Sequence, residues 1–156
     1  MKVKKVIILA GGKGTRISNL YPDLPKSLIP VNGKPFLYWI IKWLKKNEMN
    51  DILLSTGYLH KKIQNFIQNS EIFKNINISF SHEKFPLGTG GCIIKAFKSI
   101  EDEFATVING DSLCLTDLKT FYNSFFKNRA VCSIVCKKIQ NTNKYTHNSR
   151  RHIRHA

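Results

Sequence analysis

Leu9-Ala10-Gly11-Gly12-Lys13-Gly14-Thr15-Arg16 follows directly on the apolar run Val6-Ile7-Ile8-Leu9, and Pro25-Lys26 comes soon after. The apolar run reads as a short buried strand. A glycine-rich turn at the end of a strand lets backbone N–H groups approach phosphate oxygens closely. Arg16 in the turn and Lys26 beyond it add two cations, so the stretch is built to hold a polyphosphate. It is not a P-loop, because no Gly-Lys-Ser/Thr closes it, and it lacks the third glycine of a dinucleotide fingerprint. Asn19-Leu20-Tyr21-Pro22 does not continue as the helix that fingerprint requires.

On either side of this stretch, strand-like and helix-like segments alternate. Strands are expected at Lys4–Leu9, Asp51–Thr56, Asn77–Ser81, Phe104–Ile108 and Ala130–Cys136. Pro35–Lys46 reads as a helix, with proline at its start and lysines at its end. Leu59–Gln68 reads as another, with Leu59, Ile63, Phe66 and Ile67 on one side. Gly90–Ser99 and Thr116–Lys127 complete the set, the last capped by Thr116 or Asp117. This alternation predicts a three-layer, Rossmann-like α/β fold: a mostly parallel sheet with helices on both faces. Such sheets bind ligands beyond the carboxyl ends of their strands. Both Gly11–Arg16 and Asn109-Gly110-Asp111 fall at such ends.

Asn-Gly and Gly-Asp are common turn pairs. An acid at a strand end facing a phosphate loop is also a natural Mg²⁺ ligand. A third stretch, Glu83-Lys84-Phe85-Pro86-Leu87-Gly88-Thr89-Gly90-Gly91, reads plainly as a loop entering a helix. Its small residues would also let a nucleobase pack against backbone.

Together these stretches resemble the sugar-1-phosphate nucleotidyltransferases, whose signature is a strand, then Leu-Ala-Gly-Gly-x-Gly-Thr-Arg, then Pro-Lys. Every signature position is filled here. Leu-Gly-Thr-Gly-Gly is similar to a stretch of the guanylyltransferases that act on mannose or heptose 1-phosphate. The resemblance implies transfer of a nucleoside monophosphate from an NTP, with GTP the leading choice, to a sugar 1-phosphate, releasing pyrophosphate. Uridylyl, thymidylyl and cytidylyl transfer stay open. By the same resemblance Leu9, Ala10, Gly11 and Gly12 lie against base and ribose. Gly14, Thr15 and Arg16 hold phosphates, and Lys26 acts beside the reacting phosphate. Leu87, Gly88 and Thr89 contact the base, Gly110 borders the nucleotide, and Asp111 binds Mg²⁺. Arg16, Lys26 and Asp111 are the residues expected to be catalytic.

The chain has 156 residues, which favours one domain. The resemblance covers only the amino-terminal part of the family's domain. Residues 1–139 are expected to form the nucleotide-binding domain, lacking its carboxyl-terminal part. Residues 140–156 lose apolar periodicity and are expected to form a disordered basic tail. The abrupt change in composition predicts a truncated or frameshifted product. In the family a later lysine grips the sugar phosphate and a later aspartate completes the metal site, but no acid follows Asp117 here.

The formal net charge is +15, and about +11 remains without Lys144, Arg150, Arg151 and Arg154. Such a surface attracts anions without choosing among them. The apolar stretch before Gly11 is shorter than the roughly 7–15 residues of a signal core, and no run reaches the ~20 of a membrane span. The four cysteines, Cys92, Cys114, Cys132 and Cys136, lack CxxC spacing and read as buried free thiols of a cytoplasmic protein. Trp39 and Trp43, one helical turn apart, read as core. The expected partners are an NTP and a sugar 1-phosphate, with no membrane; a homo-oligomer stays open. Two rivals remain: a catalytically impaired nucleotide-binding fragment, and a basic nucleic-acid-binding protein using residues 144–156, which lacks the aromatic RNA-binding signatures.

Overall fold

The structure, a computed structural model, describes residues 5–15 and 17–136. These divide into two compact units at Leu118 and Lys119.

The first unit is built on four parallel strands in the order β5-β4-β1-β6. β1 is Lys5–Ala10, β4 Asp51–Thr56, β5 Asn77–His82 and β6 Ala105–Asn109. A short antiparallel ribbon, β2 (Pro30–Val31) and β3 (Lys34–Pro35), stands apart from the sheet. Asn32 and Gly33 both have positive φ, at 49° and 72°. That is the backbone of a type I′ turn, for which Asn-Gly is the preferred pair.

The central strands are buried on both sides. β1 pairs with β4 and β6 in register, Ile7 lying opposite Leu53 and Val107. Val6, Ile7, Ile8, Ile52 and Leu54 are fully buried. Near-continuous apolar strands are what a sheet covered on both faces requires. Successive side chains alternate between faces. One face carries Ile7, Leu9, Leu53 and Ala105, packed with Ala96 of helix α3 (Gly88–Phe97) and with Ile100. The other carries Leu54 and its register partner Phe80, and the ring of His60 meets Phe80 edge-on. That contact sets helix α2 (His60–Gln68) on this second face. Helix α1 (Phe36–Lys46) lies beside α2, joined through Phe73, whose ring meets both Tyr38 and Phe66. α1 buries Leu37, Ile40, Ile41 and Leu44 completely, the i, i+3, i+4, i+7 spacing of an amphipathic helix. The three-layer α/β reading therefore holds.

The order of the strands sets where a ligand can enter. The path runs β1, β4, β5 in one direction across the sheet, then returns through α3 to β6 on the far side of β1. The direction reverses between β1 and β6, so their carboxyl ends flank the topological switch point, where doubly wound sheets bind ligands.

The second unit holds most of helix α4 (Leu118–Lys127). The strand expected at Ala130–Cys136 is not formed. Val131 is 98% exposed and Ile134 77%. A strand-like apolar run with no ladder partner and no face to bury cannot stay extended as sheet. Two further expectations are corrected. Of the four free cysteines only Cys92 is buried. Trp39 and Trp43 are half-buried rather than core; the Trp39 indole donates to the Val31 carbonyl at 2.8 Å and ties α1 to the ribbon. Among the described residues no helix is long and apolar enough to cross a membrane. The tail expected from residue 140 lies outside the described residues.

Candidate functional site

All four strands end on one cleft of about 650 Å³. Its wall is assembled by main-chain bonds between the segments that leave the sheet. The Gly110 N–H donates to the Leu9 carbonyl at 2.8 Å, Tyr58 N–H to Gly11 at 3.2 Å, and Glu83 N–H to Thr56 at 2.7 Å. These bonds need close approach. A Cβ on Gly110 would stand 2.7 Å from the Leu9 carbonyl oxygen, and one on Gly11 would stand 2.9 Å from Glu83 Oε1. Glycine at Gly110 is a packing requirement, because the close atom is backbone; at Gly11 the close atom is the tip of the Glu83 side chain, which can turn away, and the nearest backbone atom is Gly57 N at 3.3 Å.

The structure brings residues from distant parts of the chain onto this wall. Leu9, Ala10, Gly11 and Gly12 line it from β1; Gly88 and Thr89 from the start of α3; Gly110 and Asp111 from the end of β6. Lys26 joins them from the short 3-10 turn Lys26–Leu28. Lys26 Nζ lies 2.5 Å from Asp111 Oδ2, and each side chain is about one-third exposed. Burial pushes the Asp111 carboxyl upward. Hydrogen bonds from Lys26 and Ser112, with the Lys26 charge, outweigh that and hold it below the ordinary carboxylate value.

Three expected residues stand off the wall. Gly14, at φ 65°, sits behind the Lys26 side chain, whose Cβ would be 3.0 Å from any Cβ at that position. Thr15 is exposed, and its carbonyl accepts from Ser18 Oγ at 2.9 Å. The Leu87 N–H donates to Glu83 Oε2 at 3.1 Å. Arg16 lies outside the described residues.

The cleft also has lining that the motifs did not single out: Gly57, Tyr58, His82 and Cys92 among it. Gly57-Tyr58 had one readable signal, its place directly after a predicted strand. Glu83 is the carboxylate nearest Gly11, and it also accepts from Ser55 Oγ at 3.4 Å. His82 stacks on His60 with ring centroids 4.3 Å apart. Desolvation, then the charges of His82 and Lys61, lower the His60 pKa. Desolvation, then the Glu83 charge, raises that of the Cys92 thiol.

No group of three or more His, Cys, Asp or Glu side chains among the described residues is arranged to hold a metal. Mg²⁺ needs no such cage: it commonly takes one or two carboxylates plus substrate phosphates. Asp111, at a strand end beside a lysine, fits that donor set.

A parallel sheet that ends in a glycine turn, with a lysine–aspartate pair at its switch point, is the frame of a nucleotide-handling α/β domain. The chain belongs to the nucleotidyl transferase family, whose model matches residues 5–147. It is 37% identical over 141 residues to the D-glycero-alpha-D-manno-heptose 1-phosphate guanylyltransferase of Aneurinibacillus thermoaerophilus, covering 90% of this chain and 60% of that relative. It is 40% identical over 114 residues to the protein of the same name from Campylobacter jejuni, covering 73% of this chain and 50% of the relative. The fold matches the crystal structure of HddC from Yersinia pseudotuberculosis complexed with GMP-PN at a TM-score of 0.72 and 39% identity, over 79% of this chain and 54% of that one. The chain thus spans about half to three-fifths of the length of these relatives.

Proposed function

We propose that this cleft binds a magnesium nucleoside triphosphate, GTP by preference, and serves transfer of its nucleoside monophosphate to a mannose- or heptose-like 1-phosphate, with release of pyrophosphate. The observation that carries the reading is the meeting of Lys26 and Asp111, 85 residues apart in sequence, beside the glycine turn at the switch point.

The chemistry is in-line attack by a sugar-phosphate oxygen on the α-phosphorus. Such transfer needs positioning and charge stabilisation and no covalent enzyme intermediate. Asp111 would hold Mg²⁺, whose charge would offset that of the phosphates. Lys26 and Asp111 neutralise each other in the structure. A magnesium triphosphate gives each a stronger partner, phosphate for the ammonium and cation for the carboxylate. The Lys26 ammonium then sits as a point charge beside the reacting phosphate. Gly11 and Gly12 bring main chain to base and ribose, Arg16 serves the phosphates, and Gly88, Thr89 and Gly110 border the nucleotide; Gly14, Thr15 and Leu87, which stand off the cleft wall, take no direct contact in this reading. Glu83 supports guanine over the pyrimidines, since guanine's adjacent N1–H and N2–H donors match the two oxygens of a carboxylate, whereas no pyrimidine base presents two such ring-edge donors side by side. Two proteins, 37% and 40% identical to this chain, bear a guanylyltransferase name, which supports the same choice.

The test is pyrophosphate release from GTP with Mg²⁺ and a panel of sugar 1-phosphates. Turnover that vanishes in Asp111→Ala supports transfer. A second reading is nucleotide binding without turnover. Binding of GTP with no pyrophosphate release under any acceptor would select it.

A further inference from the structure

We propose that Phe85 is a stacking platform for the base of the nucleotide taken by the cleft, a role that rests on the nucleotide reading of that cleft. Three aromatic side chains line its wall: Tyr58, His82 and Phe85. Two are already committed. The Tyr58 hydroxyl donates to the Pro22 carbonyl at 3.2 Å, and His82 stacks on His60. Phe85 is 77% exposed. A ring left in water at the mouth of a ligand cleft is an apolar surface ready for a flat partner.

Its position is fixed by the chain. Glu83 anchors the turn at one end through its N–H bond to Thr56 at 2.7 Å. The Leu87 N–H closes the other end on the Glu83 carboxylate at 3.1 Å. Pro86 disfavours the helical region for Phe85, and the chain bends there. The ring therefore projects from a short braced turn, so little ordering is needed for it to meet a base. Gly12 and Gly88, on the same cleft, have nothing within 4 Å of where a Cβ would stand, which leaves slot space for a planar group. The base occupies this region, and the polyphosphate runs to Lys26 and Asp111. Stacking is tolerant of base identity because every base offers a π-face. Phe85 then supplies affinity, and Glu83 supplies choice.

The test is calorimetric titration of the full chain, Phe85→Ala and Phe85→Leu with Mg·GTP and, separately, with magnesium tripolyphosphate, which has no base. We expect Phe85→Ala to weaken Mg·GTP about tenfold, with Phe85→Leu weakened nearly as much and tripolyphosphate affinity unchanged. Circular dichroism checks that both variants fold. Unchanged GTP affinity in Phe85→Ala overturns the stacking role and leaves the nucleotide reading standing. Equal losses for GTP and tripolyphosphate also overturn it, because the residue would then only shape the loop. A parent chain that binds neither ligand overturns the cleft reading and this inference with it.

Discussion

Gly110→Ala puts a methyl group where the fold has no room. The new Cβ would lie 2.7 Å from the Leu9 carbonyl oxygen and 3.3 Å from both Cα and Cβ of Ala10. The oxygen cannot swing aside, since it accepts the Gly110 N–H at 2.8 Å. Ordinary contact begins at 3.4 Å, so β1 and the end of β6 must part by roughly 0.7 Å. Overpacking of this kind costs about 1–3 kcal/mol, and weakening the hydrogen bond adds about 1 kcal/mol. For a chain of this size each kcal/mol corresponds to about 2–4 °C in Tm, so a fall of roughly 4–16 °C is expected. The same displacement moves Asp111, the next residue, away from Lys26, and nucleotide affinity falls with stability. Gly12→Ala is the matched control. Its Cβ would meet nothing within 4 Å, yet the position lines the cleft. It should leave Tm within about 1 °C of the parent, as surface substitutions do, while lowering Mg·GTP affinity. The assay is thermal unfolding by circular dichroism beside calorimetric titration. A Gly110→Ala chain with parental Tm and parental affinity would rule out the close approach of β1 and β6; a Gly12→Ala chain with reduced Tm and intact affinity would rule out open space at Gly12.

Other outcomes rest on the same geometry. Leu54→Ala empties a fully buried site in the central sheet and should lower stability by about 2–5 kcal/mol; a parental urea midpoint would contradict the two-faced core. Lys26→Met should reduce Mg·GTP affinity at least tenfold with little change in Tm, because an exposed ion pair contributes no more than about 1 kcal/mol; equal loss of both would make Lys26 structural. The folded Asp111 pKa lies below its ordinary value. The stabilisation it brings is therefore complete above about pH 4 and disappears as pH falls through the lowered value. The Tm gap between the parent and Asp111→Asn should be present at pH 7 and close in acid, and a gap independent of pH would contradict the pair.

Much of the fold is legible because the central strands are buried on both faces, and Val6-Ile7-Ile8-Leu9 announces that without help from neighbours. The Pro35–Lys46 and Leu59–Gln68 stretches carry their own helical periodicity and differ from the observed helices by one residue. α3 begins at Gly88, two residues before the expected start, because Gly88 at φ 69° enters the helix from a turn and not from Gly90. The β2–β3 ribbon escapes a reading by periodicity although Asn32-Gly33 is a strong hairpin pair, since strands of two residues leave no alternation to see. Ala130–Cys136 misleads in the opposite way: β-branched residues favour a strand, but pairing is decided by what lies alongside. At the site, the glycine turn and Asp111 can be read from their positions at strand ends. The Glu83 carboxylate resting against Gly11, and Tyr58 bonded to it, arise from the register of β4 and β5 beside β1, which no local pattern encodes.

The most direct test is a crystal structure of the chain with Mg²⁺ and a non-hydrolysable GTP analogue. Phosphates are expected between the glycine turn and Lys26, Mg²⁺ on Asp111 with the Lys26–Asp111 pair opened, and guanine beside Gly88 and Glu83. A nucleotide bound elsewhere, or seated in the cleft with Lys26 and Asp111 still paired and touching neither phosphate nor metal, would contradict this placement.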